Sequence, residues 1–94
     1  MTNEYEINLD YFHPMMVLAG DLAEANVPFT MRTCYDGFQF RFDWCAGDVV
    51  CHFGSYSNSE GYVESYKFPF DGDDVSVMKP HDMAAAIIEY YKEL

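Results

Sequence analysis

Cys51 and His52 are the residues whose types come nearest to a nucleophile with its base. A thiolate–imidazole pair needs both side chains on the same side of the chain. Residues 49 to 56 read as a strand, and neighbouring side chains on a strand point to opposite faces, so the two cannot cooperate. A serine nucleophile fares no better, because Gly54-Ser55-Tyr56-Ser57 does not complete a G-x-S-x-G turn between a strand and a helix. Three carboxylates gather in Asp71-Gly72-Asp73-Asp74, oxygen donors of the kind hard cations bind. The EF-hand spacing and its distal glutamate are absent, so this reads as a solvated turn and not a metal site. His13, His52 and His81 are dispersed, and Cys34, Cys45 and Cys51 contain no C-x-x-C pair. Free thiols in a reducing cytoplasm are the expectation. With no Walker loop, dinucleotide-binding glycine pattern or H-E-x-x-H run, the chain reads as a non-enzyme without cofactor.

Charge gives a stronger signal than any motif. The 94 residues carry 16 Asp+Glu against 5 Lys+Arg, a formal charge of −11. Such a surface repels phosphate backbones and anionic membranes and favours a basic protein or nucleoprotein partner. Met1-Thr2-Asn3-Glu4-Tyr5-Glu6 lacks the basic-then-apolar pattern of a secretory signal, and no apolar run approaches the roughly 20 residues that span a bilayer. A length of 94 residues suits one domain, 1–94, with one core.

The elements that would position these groups follow from periodicity. Met15, Leu18, Leu22 and Ala25 recur at helical spacing, with Pro14 suited to the first turn and Asn26 and Pro28 to the end. From Phe29 the period becomes two: Phe29, Met31, Thr33 and Tyr35 alternate with polar residues, as do Phe38, Phe40, Phe42 and Trp44. Asp36-Gly37 between them predicts a two-residue hairpin turn, placing Met31 opposite Phe42 and Thr33 opposite Phe40. A second turn at Ala46-Gly47 pairs Phe42 with Cys51, a fourth strand runs from Tyr62 to Phe68, and Val75 to Met78 forms an edge strand. Pro80 opens a final helix burying Met83, Ile87, Tyr90 and Leu94. The expected fold is α+β: a helix, a four- to five-stranded antiparallel meander and a C-terminal helix, both helices packed on one aromatic sheet face.

The other sheet face then carries Arg32 directly opposite Arg41, Arg41 opposite His52, and Tyr62, Glu64 and Tyr66 nearby. Tyr/Arg surfaces of this kind are enriched in interfaces. Acids fall elsewhere: Asp21 and Glu24 outside the first helix, Glu89 and Glu93 outside the last, and Asp71, Asp73 and Asp74 in the acidic turn.

The runs Tyr35-Asp36-Gly37-Phe38-Gln39-Phe40, Gly47-Asp48-Val49-Val50-Cys51-His52, Gly61-Tyr62-Val63-Glu64 and Phe68-Pro69-Phe70-Asp71-Gly72-Asp73-Asp74 resemble small acidic proteins of bacterial phages and other mobile elements. That group includes anti-CRISPR and anti-restriction inhibitors, some of which act as DNA mimics in nucleic-acid grooves. The resemblance implies a stoichiometric inhibitor of a nucleic-acid-binding complex, presenting its carboxylates to a basic surface. A self-associating or adaptor domain, forming a homodimer through the Tyr/Arg sheet face, is the alternative reading.

Overall fold

A computed structural model describes residues 6–52, 55, 61–67 and 75–94. The chain runs α1 (Leu9–Glu24), β1 (Thr30–Cys34), β2 (Gly37–Arg41), β3 (Asp48–Cys51), β4 (Val63–Tyr66), β5 (Val75–Met78) and α2 (Pro80–Lys92). The strands form one antiparallel sheet in the order β1-β2-β3-β4-β5, the expected α+β meander.

The first helix begins earlier than its proline suggests. Asn8 is the N-cap, its side-chain oxygen accepting from the Asp10 N–H at 3.0 Å, while its own N–H donates to the Asp36 carbonyl at 2.9 Å. Pro14 therefore lies inside α1, where its ring nitrogen cannot bond the preceding turn. Tertiary packing overrides that loss: the added turn buries Tyr11 and sets the Phe12 ring 5.8 Å from that of Phe38 on β2. The far end closes as expected. Asn26 takes φ = 60°, its N–H donates to Ala23 O, and the Val27 N–H reaches back to Leu22 O at 2.9 Å. This is a Schellman motif, with Leu22 and Val27 both buried in the core.

The hairpin turn is Tyr35-Asp36, not Asp36-Gly37, because Cys34 pairs with Gly37. Tyr35 carries the positive φ, 54°. Gly37 is the first residue of β2, and its missing side chain has a packing cause: a Cβ there would lie 1.8 Å from the Cys51 carbonyl oxygen. Met31 consequently faces Phe40 instead of Phe42, and Thr33 faces Phe38. Since strand side chains alternate with period two, a two-residue offset changes every partner while leaving every residue on its expected face.

Between β2 and β3 the offset is larger, with Phe38 opposite Cys51 and Arg41 opposite Asp48. Phe42 and Trp44 have left the ladder. Their rings lie 4.9 Å apart, Trp44 approaches Tyr91 of α2 at 4.9 Å, and its Nε1–H donates to the Pro28 carbonyl at 3.0 Å. The expected second turn is thus a longer loop that carries an aromatic plug across one end of the core. The fourth strand is shorter than expected, Val63–Tyr66, and Phe68 lies outside the described residues.

The core collects Met15, Leu18 and Leu22 of α1, Phe38, Phe40, Val49, Cys51 and Val63 of the sheet, and Met83, Ala84 and Ile87 of α2. Each fully buried aliphatic or aromatic side chain stabilises the fold by roughly 1.5–3 kcal/mol. Leu94, expected in that face of α2, is instead 69% exposed, and Ala25 ends α1 exposed.

Candidate functional site

One sheet face receives the helices, so the functional surfaces are the outer sides of those helices and the opposite sheet face. On the helix layer Glu24, Asp82, Glu89 and Glu93 are exposed. Asp21 is different. Its Oδ2 lies 2.6 Å from His81 Nδ1, tying α1 to the start of α2, and it is only half-exposed. Asp10 and Asp82 occupy the first turns of α1 and α2, where carboxylates complement the positive helix end. Part of the negative charge is therefore used by the fold itself. The acidic turn with Asp71, Asp73 and Asp74 lies outside the described residues.

On the outer sheet face the register corrects two expectations. Arg32 stands opposite Gln39, not Arg41, and Arg41 stands between Thr30 and Asp48, not opposite His52. The direct like-charge pairing disappears, and an opposite charge takes its place across β2 and β3. Asp48 is held by Gln39, whose Nε2–H donates to its Oδ2 at 2.6 Å. The two arginines nonetheless remain diagonal neighbours. Both line a groove of about 470 Å³ with Thr30, Phe42 and Asp43. Arg41 also borders a second hollow of about 290 Å³, shared with Gln39, Cys45, Asp48 and Tyr66.

Tyr66 and Glu64 share this face, opposite Val75 and Val77 of β5. Tyr66, Val75 and Val77 are 42%, 45% and 41% exposed, so an apolar strip runs down this side. Lys67 Nζ sits 5.7 Å from the Tyr66 ring centre. Tyr62 precedes β4, half-buried, and its carbonyl accepts from the Cys51 thiol at 3.5 Å. Gln39, Asp48 and Thr30 were missed in the sequence because polar residues alternating on a strand announce only a solvated face; their grouping depends on register.

All three cysteines are thiols, Cys34 and Cys45 half-buried and Cys51 buried. Burial pushes the Cys34 thiol up, with Arg32 opposing and Asp48 adding to the shift. Cys45 is likewise raised by burial, against a backbone hydrogen bond involving Gly47. A proton held this firmly makes a weak nucleophile. Cys51 is fully buried, and the His52 ring packs against Tyr35 at 5.1 Å. Among the described residues no group of three His, Cys, Asp or Glu side chains could hold a metal ion, and no helix is long and apolar enough to cross a membrane.

A cleft of about 540 Å³ between the ends of the helices is lined by Val27, Trp44, Ile88, Tyr91, Lys92 and Leu94. Compared with known proteins, the chain matches no family model, and neither a curated protein nor a solved structure resembles it significantly.

Proposed function

We propose that the chain is a non-enzymatic, stoichiometric inhibitor of a nucleic-acid-binding protein complex, of the anti-CRISPR or anti-restriction type. One observation carries this reading: two helices packed on one side of the sheet expose Glu24, Asp82, Glu89 and Glu93 on a body whose formal charge is −11. Carboxylates fixed on rigid helices offer a basic groove a substitute for phosphates without the cost of ordering a flexible tail. Asp71, Asp73 and Asp74 contribute to the same negative charge. The partner is a basic protein or nucleoprotein, and nucleic acid is its competitor.

The experiment is capture from a nuclease-treated bacterial lysate on the immobilised protein, eluted stepwise with salt, followed by competition of the eluted protein with its nucleic acid. Association should weaken steeply between about 0.05 and 0.5 M salt, as the Debye length shrinks roughly threefold. A partner retained equally across that range, or indifferent to nucleic acid, overturns the reading.

A second reading is favoured by the exposed strip of Tyr66, Val75 and Val77, which suits self-association or an adaptor role through the outer sheet face. A salt-resistant dimer in light scattering, lost in Tyr66→Ala, supports it; a monomer at all salt concentrations removes it.

A further inference from the structure

The sheet has an open edge at β1, and that edge differs from the rest of the molecule in charge. Alternate residues of an edge strand direct their N–H and C=O groups away from the sheet. Among the described residues, Thr30–Cys34 make no backbone hydrogen bond beyond the ladder to β2. On the outer side of this edge, Arg32 and Arg41 converge on the groove above Thr30. They are two of only 5 Lys and Arg residues, and neither guanidinium is ion-paired among the described residues despite 16 acids in the chain. On the helix side of the same edge Met31 is 46% exposed beside half-buried Phe29.

We infer that the β1 edge is a docking site for an extended segment of a partner protein, added as a strand beside β1, whose side chains alternate between carboxylates and apolar groups. The period-two geometry dictates that alternation. One set of side chains would lie along Thr30 and Arg32, where guanidinium forks match carboxylates, and the other along Met31. Asp43 also lines the groove and repels an anion, which favours a carboxylate placed at Arg32 on β1 itself. A second copy of this chain fits the edge poorly. Antiparallel pairing of β1 with itself about a two-fold axis sets Arg32 opposite, or diagonal to, its own symmetry mate, and like charges across strands repel. At β5, the other open edge, the outward side chains are Val75 and Val77 and no arginine is present.

This surface is independent of the acidic helix layer, and its salt response separates the two. Salt screens both the attraction of Arg32 for a carboxylate and the repulsion of an acidic segment by the net charge of −11, so the two effects offset and binding here weakens less with salt than binding through the acidic helices.

The test is fluorescence anisotropy with a labelled, acetylated peptide of four glutamate–valine repeats. Two further probes are the same peptide N-methylated at its glutamates and N-methylated at its valines, since only one of these sets of N–H groups faces β1. Saturable binding of the first is expected, with loss of binding on N-methylation of one of the two sets and about tenfold weaker binding to Arg32→Glu. Arg32 is exposed on an edge strand, and an unchanged circular dichroism spectrum verifies that the variant is folded. Absence of saturable binding by the glutamate–valine peptide, equal binding of both N-methylated peptides, or no effect of Arg32→Glu overturns the proposal.

Discussion

Phe40 and Arg41 are consecutive residues of β2 that belong to different environments. Phe40 is fully buried, its ring stacked on Phe29 at 4.9 Å under the helices; Arg41 is exposed on the opposite face between two grooves. The contrast extends across the whole sheet. Its inner face joins Phe38, Phe40, Val49, Cys51 and Val63 to the core, while its outer face presents arginines, an acid held by an amide, and an apolar strip. Stability is concentrated on one side of each strand, which leaves the other free to present recognition groups at little cost to folding.

Substituting the neighbours tests that division most directly. Phe40→Ala should cost about 4 kcal/mol in urea denaturation, the transfer term plus a cavity beneath α1. Arg41→Ala should change stability by less than about 0.5 kcal/mol. Comparable losses would mean that the outer face is also structural.

Gly37 is where the division should fail. It lies in register with Gln39 and Arg41, yet a methyl group there meets the Cys51 backbone oxygen. Gly37→Ala should therefore cost about 3 kcal/mol, because the backbone of β3 must move. A near-neutral outcome by thermal melting would show that the strands separate easily.

Ser65 is the complementary exception. It is fully buried on the inner face, and its Oγ has no hydrogen-bond partner among the described residues. Ser65→Ala should stabilise by about 1 kcal/mol, since a desolvated hydroxyl is removed with little change in volume. Destabilisation would indicate that the hydroxyl is satisfied in solution.

The smallest expected effect concerns the thiols. Cys34 on the outer face should react with iodoacetamide more slowly than free cysteine at about pH 8, because burial keeps it protonated. Cys51 on the inner face should not react without unfolding. The folded state holds the Cys34 and Cys45 protons more tightly than the unfolded chain does. Stability should therefore fall as pH rises through the ordinary thiol range towards the raised values. Cys34→Ser together with Cys45→Ser should reduce that alkaline loss in a pH series of thermal melts.

Local periodicity made much of this legible. The switch from helical spacing to alternation at Phe29 announced the order of elements, and alternation assigned Met31 and Phe40 to one face and Arg32 and Arg41 to the other. Those assignments survived a wrong register, because parity is insensitive to a slip of two. The start of α1 was not legible, since Pro14 is a strong local signal while the reward for the extra turn, burial of Tyr11 and Phe12 against the sheet, is non-local. The Arg41 environment was hidden for the same kind of reason. Asp48 becomes its neighbour only because Phe42 and Trp44 leave the strand to pack near α2, which lengthens the connection and resets the pairing.

The amino-acid sequence by itself determined the charge of −11, the α+β order and the sidedness of β1 to β4, since these depend on composition and on periods of two and 3.6 residues. Tertiary structure alone decided which residues stand opposite one another, that Asp21 ties to His81, and that Arg32 and Arg41 share one groove beside an open edge. Register is a property of contacts between strands. It is set here by the Trp44 plug and by the close approach of Gly37 to the Cys51 carbonyl, and neither lies within the span of a local pattern.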